Sequence, residues 1–178
     1  MSCDLTSGFK LGCRDNTGGT KRIFVANFNA TTDYTEDASN VVTAITPVAP
    51  DTIEYFQYDL QKNTAELMEE QTMTPENETI GYVPTINFIF NKLDTPKRNE
   101  LLLLARTASV VIVEDRNGRY WIVGREAGLD MTTSTRGTGI NITDRNGSSV
   151  SLVGAESIPF QEVEFAAFSA YISAVQIS

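Results

Sequence analysis

One stretch, Thr95 to Gly124, constrains the fold more than any other part of this 178-residue chain. Its first part predicts a helix over residues 95–106. The β-branched run Val110–Val113, the turn Asn117-Gly118 and the return Tyr120–Val123 then predict a tight β-hairpin, because Asn-Gly is the strongest short signal for such a turn. No residue type or spacing here indicates catalysis, so the stretch is interpreted as a framework.

The predicted helix is expected to be buried. Thr95 is its expected N-cap. The run Leu101–Ala105 makes the helix apolar around most of its circumference, which is typical of a helix inside a core. An Asp at Leu102 or Leu103 is therefore expected to abolish folding, because it would place a charge in that core.

The remaining pattern predicts a mainly β, α+β protein: an antiparallel β-sandwich or partial barrel with one flanking α-helix. The segment Lys21–Phe28 is apolar on both faces, so we expect a strand between two packed layers or at a subunit contact. A strand at Glu66–Thr72 is favoured over a helix, and it should form a long hairpin with Thr79–Asn91, in which Pro84 indicates a bulge or an edge position. Further strands are predicted at Val41–Ile45, Ile53–Leu60 and Ile158–Val163.

The chain is interpreted as one domain, residues 1–178. A polar N-terminal arm covers residues 1–20, the sandwich residues 21–163, and an apolar C-terminal arm or helix residues 164–178. The spacing of the large residues in that last segment is close to helical, but an extended arm is almost equally compatible with it. An apolar terminus must be covered by its own chain or by a neighbour, so it indicates self-association.

Two polar regions of the second half are predicted to be loops and turns. Leu129–Gly139 is expected to be a mobile loop. The tetrapeptide Asp-Arg-Asn-Gly occurs at Asp115–Gly118 and again at Asp144–Gly147. Both copies are interpreted as hairpin tips rather than calcium loops, because the full calcium-loop pattern is absent.

Composition argues against most enzymatic chemistry. The chain has no His, which removes the commonest general base and most zinc sites. We therefore expect no catalytic residue, cofactor or metal, and no enzyme activity. Cys3 and Cys13 are expected to be free thiols rather than a disulfide.

The net charge of −9 argues against general phosphate binding, but it would suit a surface that DNA must slide past. The N-terminus has no signal-peptide pattern, and no apolar run approaches the ~20 residues of a membrane helix. We therefore expect synthesis in a cytoplasm and no membrane partner.

Acidic, basic and aromatic residues are the candidates for contacts between subunits. The glutamates of the long hairpin are interpreted as a solvated face rather than a paired-carboxylate site. They would also suit a loop that reaches a basic patch on a neighbour, with Lys97-Arg98 or Arg116-Arg119 as the partner. The full set of candidates is Glu66, Glu69, Glu70, Glu76, Glu78, Arg116, Arg119, Arg136, Phe165, Phe168 and Tyr171.

Four segments carry a resemblance to a known family: Asn91–Ala105, Val113–Trp121, Gly124–Leu129 and Asp144–Gly154. Together with the N-terminal strand and the acidic hairpin, they resemble small structural proteins of tailed bacteriophages, particularly crAss-like and other Bacteroidetes phages. The order of the elements is similar to the tail-tube fold.

This resemblance implies a structural virion protein that forms a ring of the tail tube or of the neck and connector. Its partners would be further copies of itself and other tail, neck or portal proteins, with double-stranded DNA passing through the lumen without specific binding. The hairpin Ala65–Thr79 and the loop Asp130–Gly139 would then contact neighbouring rings. The alternative is a monomeric β-sandwich binding module, carbohydrate-binding or adhesin-like, which is disfavoured because the single tryptophan, Trp121, is interpreted as a core residue.

Overall fold

A computed structural model describes residues 7–174 of the chain. This part is mainly β with antiparallel sheets, as the sequence predicted. None of its helices is long and apolar enough to cross a membrane. Cys3, predicted to be a free thiol, and the last residues of the apolar tail lie outside the described part. The elements are β1 (Thr20–Asn27), β2 (Asp33–Glu36), β3 (Val42–Thr46), β4 (Phe56–Asp59), β5 (Ala65–Thr74), β6 (Thr79–Asn91), α1 (Thr95–Leu104), β7 (Ser109–Asp115), β8 (Tyr120–Val123), β9 (Asp130–Gly137), β10 (Gly147–Val153), β11 (Gln161–Glu162) and α2 (Phe165–Phe168).

Two antiparallel sheets form the sandwich. The five-stranded sheet has the order β11-β8-β7-β1-β4, and the four-stranded sheet has the order β5-β6-β10-β9. A small hairpin, β2–β3, lies outside both sheets and carries part of a second core. The molecule therefore has three layers, with the five-stranded sheet in the middle.

Strand β1 confirms the prediction of a strand between two packed layers. Its side chains alternate, so that Ile23 and Val25 enter the core between the two sheets. Phe24 and Ala26 point the other way, into the second core. All four side chains are at most 4% exposed. Ile23, Phe24 and Val25 each contribute roughly 1.5–3 kcal/mol by leaving water, so β1 stabilises both cores.

Helix α1 exists as predicted, but its cap and its buried face differ from the prediction. The N-cap is Asp94 rather than Thr95, and its carboxylate accepts a hydrogen bond from the Lys97 N–H at 2.9 Å. Leu101 and Leu104 are buried against the first core. Leu102 and Leu103 are 42% and 57% exposed. Four consecutive leucines spread around a helix at about 100° per residue, so only those three apart share a face. The predicted burial of the middle two was wrong.

The apolar C-terminal segment covers its own chain. Helix α2 and a 3-10 turn, Ser169–Tyr171, fold back over the five-stranded sheet. The Phe168 ring is fully buried, with its centroid 5.2 Å from that of Phe24. The Tyr55 N–H donates to the Tyr171 carbonyl at 2.8 Å. These contacts bury the Phe168 side chain within one molecule, whereas Phe165 stays 49% exposed. The indication of self-association from this segment stays a prediction.

The long acidic hairpin is confirmed. β5 and β6 pair from Ala65 opposite Phe88 to Thr74 opposite Thr79, without a register shift. Pro84, however, occupies neither a bulge nor an edge. It lies in the inner strand opposite Glu69, and its carbonyl accepts the Gly154 N–H at 3.1 Å. The proline is tolerated because β10 has ended one residue earlier, so its missing N–H removes only one bond at the end of that ladder.

The region after Leu129 differs from the prediction. Most of the expected loop, Asp130–Gly137, is strand β9. The second Asn-Gly is not a hairpin tip, because Gly147 is the first residue of β10 and pairs with Asn91 and Gly137. A Cβ at Gly147 would collide with the Phe90 carbonyl oxygen, which explains the glycine. The first Asn-Gly does form the predicted turn, with Gly118 at φ 81°.

Candidate functional site

The four-stranded sheet has one face that no core covers, and we call it the bare face. Strand alternation sends Ile86, Phe88, Val150 and Leu152 into the first core, so their neighbours in sequence point outward. None of the outward side chains belongs to either core cluster. Most of them are polar, namely Glu66, Glu70, Thr85, Asn87, Thr133, Thr135, Ser149 and Ser151, and four are apolar, namely Met68, Val83, Ile89 and Val153.

The bare face is neutral to acidic. Across all four strands of this sheet Arg136 is the only Lys or Arg, and the register places it on the opposite face. Glu66, Glu70 and Asp130 supply the charge on the bare face, and Glu66 accepts a hydrogen bond from the Asn87 amide at 2.9 Å. A surface of this composition gives a phosphate backbone nothing to bind.

Both lateral edges of this sheet are long. β5 has ten residues and β9 has eight, and each is paired along one side only. Neither strand contains a proline or a lysine, the residues that commonly block pairing at an exposed edge. The sheet can therefore be extended by a further strand at each side.

The end of the β5–β6 hairpin, residues 71–80, forms a surface that we call the tip. A 3-10 turn, Pro75–Asn77, closes it, and Glu78 follows with φ 52°. Met73 and Ile80 lie directly opposite each other, 63% and 48% exposed, on the face that carries the core further along the strands. Within residues 7–174, Glu76 and Glu78 form no ion pair.

A basic cavity of about 270 Å³ lies at the N-terminus of α1. Its walls include Lys92, Lys97, Arg98 and Arg136. Lys97 pairs with Asp94 at 3.1 Å, whereas the other three cations form no ion pair with any described residue. The Lys97 N–H hydrogen bond, together with the charges of Lys97 and Lys92, holds the pKa of Asp94 below its usual value. We call this surface the basic cavity.

A larger groove of about 460 Å³ lies between β4, the end of β6 and α1. Its apolar wall is formed by Phe56, Tyr58, Phe90 and Leu101. The Tyr58 and Phe90 rings meet edge to face, with centroids 5.5 Å apart. Burial raises the pKa of Tyr58 to about 12, so its hydroxyl stays protonated at neutral pH. Asp59, Glu100 and Lys97 make the rim polar.

The structure separates the predicted acidic contact residues into two groups. Glu66, Glu70, Glu76 and Glu78 are exposed on the hairpin. Glu69 instead points inward, and its carboxylate accepts the Phe160 N–H at 2.7 Å. Burial raises the pKa of Glu69. This side chain links β5 to the segment that precedes β11, so its assignment as a contact residue is corrected.

The predicted basic and aromatic contact residues are also divided. Arg119 pairs with Glu162 at 3.0 Å, and the Arg116 N–H donates to the Gly19 carbonyl at 3.1 Å, so both belong to the β7–β8 end of their own chain. Phe165 is 49% exposed and packs on Tyr120, and Tyr171 is half-buried. Phe168 is wholly buried, so its assignment as a subunit contact was wrong.

Two further features were missed in the sequence. Lys92 joins the basic cavity because the chain turns sharply after β6, with Lys92 itself at φ 66°. The clustering of Lys92, Lys97 and Arg98 around the helix start was the available signal. The second feature is a buried carboxylate, Glu156, which accepts the Glu126 N–H at 3.2 Å and carries no sequence signal.

No group of three or more Cys, Asp or Glu side chains within residues 7–174 is arranged to hold a metal ion. Comparison with known proteins gave no match to any protein-family model and no significant match to a curated protein.

Proposed function

We propose that this protein is a structural component of a bacteriophage virion, forming a ring of the tail tube or of the neck and connector through which DNA passes. The observation that carries the proposal is the bare face, a polar sheet surface without cations that is bounded on both sides by long free strands. The sequence resemblance to tailed-phage structural proteins supports the same function.

In the proposed ring, β9 of one copy lies beside β5 of the next. Such a contact pairs the free N–H and C=O groups of both edges and joins the four-stranded sheets into one continuous wall. A closed ring leaves no edge unpaired, which is the usual advantage of a barrel over an open sheet. The five-stranded sheet and α2 then lie outside that wall.

The bare face would line the lumen. DNA binding comes mainly from Lys and Arg that replace counterions at phosphates, and the bare face has neither residue. Its serines, threonines and carboxylates would let a duplex pass with little adhesion. The proposed partners are therefore copies of the chain, other tail, neck or portal proteins, and DNA that is enclosed but not bound. The proposed location is the virion, after synthesis in the host cytoplasm.

Size-exclusion chromatography with light scattering, followed by negative-stain electron microscopy, tests this proposal. The expected result is a concentration-dependent assembly of rings with a central hole. A variant with proline at Ser134 and at Arg136 in β9 should lose the rings and keep a folded monomer, because the register points the N–H groups of these two residues away from β10, toward the free edge.

The matched control carries proline at Ala166 and Ala170, which lie in the exposed part of the C-terminal segment, away from both edges. Rings that persist in the Ser134/Arg136 variant would contradict edge pairing. A chain that stays monomeric from micromolar to millimolar concentration, also when seeded with purified tails, would overturn the proposal.

The groove favours a second candidate, a monomeric binding module for carbohydrate. Aromatic walls with a rim of carboxylate and amide groups are the usual chemistry of a sugar site. Titration calorimetry against a glycan panel tests this candidate, with Tyr58→Ala as the variant that should abolish binding. Saturable glycan binding by a stable monomer would favour the module over the ring.

A further inference from the structure

We propose that the groove between β4, the end of β6 and α1 binds an organic cation, an ammonium group carried on an aromatic or aliphatic body. The groove lies apart from the two edges that close the proposed ring, since none of its lining residues belongs to β5 or β9. The inference is therefore independent of ring assembly. It differs from the carbohydrate candidate in the charge of the ligand.

The groove exists because the first core opens to solvent beside an edge strand. Among the described strands β4 pairs with β1 alone, and the side chains of Phe56 and Tyr58 lie on the same side of the sheet as the first-core residues opposite them. Phe90 continues the core face of β6 two residues after Phe88, and Leu101 of α1 forms the third wall. The resulting space of about 460 Å³ has the size of a small-molecule site.

Two carboxylates at the rim of the groove lack a cation. Asp59 and Glu100 form no ion pair within residues 7–174. Lys97 is the only Lys or Arg among the lining residues, and its ammonium group lies 3.1 Å from the Asp94 carboxylate. Burial and, after it, the charge of Glu100 raise the pKa of Tyr58 to about 12, so the Glu100 carboxylate lies close to the phenol. The rim thus has a negative surplus that no described residue compensates.

The aromatic wall favours the same ligand charge. The ring faces of Phe and Tyr carry the negative part of the quadrupole, so they attract an ammonium group. The edge-to-face contact of Tyr58 and Phe90, with centroids 5.5 Å apart, holds both rings at the groove. The apolar body of the ligand would pack on Leu101 and these rings, while its ammonium group meets the rim carboxylates. A phosphate or carboxylate ligand would meet charge of its own sign, and a neutral sugar would leave both rim carboxylates without a partner.

NMR titration of three probes with the same phenylethyl body tests the inference at neutral pH and low salt. The probes are phenethylamine, which is a cation under these conditions, neutral phenethyl alcohol, and the anion hydrocinnamate. Phenethylamine should bind with a Kd at least about tenfold lower than that of the alcohol, and hydrocinnamate should not bind. Equal Kd values for the amine and the alcohol, or no binding of the amine, would overturn the inference.

The groove variant is Asp59→Asn with Glu100→Gln. It should raise the Kd of phenethylamine at least about tenfold and leave the Kd of phenethyl alcohol unaltered, because it removes charge and keeps shape. Unaltered alcohol binding also shows that the groove is still folded.

The matched control is Glu54→Gln with Glu164→Gln, two exposed glutamates outside the groove. It changes the net charge equally and should leave both Kd values unaltered. Amine binding that the groove variant leaves unchanged, or that the control weakens equally, would contradict the role of the rim carboxylates and overturn the inference. A neutral oligosaccharide that binds more tightly than the amine would overturn it in favour of the carbohydrate candidate.

Discussion

Arg22 and Glu114 face each other across β1 and β7, and the Arg22 Nε lies 2.6 Å from the Glu114 carboxylate. This is a close charge contact in which the N–H does not point along the hydrogen-bond direction. The second carboxylate oxygen accepts a hydrogen bond from Lys21 Nζ at 2.7 Å. The Glu114 side chain is only 4% exposed, so two cations compensate a carboxylate that is nearly removed from water.

Glu114→Gln should lower the free energy of unfolding by about 2 kcal/mol, or the Tm by about 6 °C, because it removes one charge and leaves two cations beside a neutral amide. Urea denaturation measures the difference. Glu54→Gln, at an exposed position without an ion pair to any residue between 7 and 174, is the control and should lie within about 0.5 kcal/mol of the unmodified protein. Equal effects of the two substitutions would show that the buried contact contributes nothing.

Glu126 and Glu156 should respond to pH with opposite signs. Burial raises the pKa of Glu156, whereas hydrogen bonds from the Ser157 N–H and hydroxyl lower the pKa of Glu126. A raised folded-state pKa means that stability is lost as pH rises above the unfolded-state value of about 4.3. A lowered folded-state pKa means that stability is lost as pH falls through that pKa.

Glu156→Gln should therefore gain stability relative to the unmodified protein between pH 4 and pH 7. Glu126→Gln should lose stability over the same interval. Thermal denaturation of the three proteins at several pH values measures both slopes, and each variant serves as the other's control. Parallel slopes would contradict the assigned environments of the two carboxylates.

The four consecutive leucines of α1 should differ sharply in their contributions. Leu101→Ala should cost about 2–4 kcal/mol, because its side chain is 3% exposed and leaves a cavity in the first core. Leu102→Ala should cost less than about 1 kcal/mol, because its side chain is 42% exposed. Chemical denaturation compares the free energies of unfolding of the two variants. A larger loss of stability in Leu102→Ala than in Leu101→Ala would contradict the assignment of the buried face of α1.

Lysines placed on the bare face should make assembled rings bind DNA. Ser149→Lys with Ser151→Lys, in the inner strand β10, adds two cations per subunit to a surface that has none. Fluorescence anisotropy of a labelled duplex should show binding at 50 mM salt that weakens strongly at 200 mM. Thr35→Lys with Thr52→Lys, which are exposed outside that sheet, is the control and should leave the rings without affinity. Equal binding by both variants would argue against a lumen at the bare face.

Periodic apolar segments allowed much of the fold to be predicted. The alternation in β1 identified its two buried faces, and Asn117-Gly118 identified the β7–β8 turn. The long hairpin was also predicted, although its glutamates and leucine are compatible with a helix. In each case a local signal agreed with the final packing, which is why it was sufficient.

Other features depend on contacts that no local pattern contains. β9 is exposed on both faces, so its threonines and serine show no alternation, and only pairing with β10 makes it a strand. The leucine run carries no period from which its buried face could be read. The surfaces of the candidate site combine residues distant in sequence, such as Arg98 and Arg136, and only the folded chain brings them together.

Phe160 contacts both sheets at once. Its N–H donates to Glu69 in the four-stranded sheet, while its ring meets Trp121 of the five-stranded sheet edge to face, with centroids 5.3 Å apart. Trp121 is the only tryptophan of the chain, so all tryptophan fluorescence of the protein comes from this contact. The fluorescence emission of Trp121 therefore reports on the contact between the two sheets. Any partner that pulls β5 away from the sandwich will shift that emission without an added label.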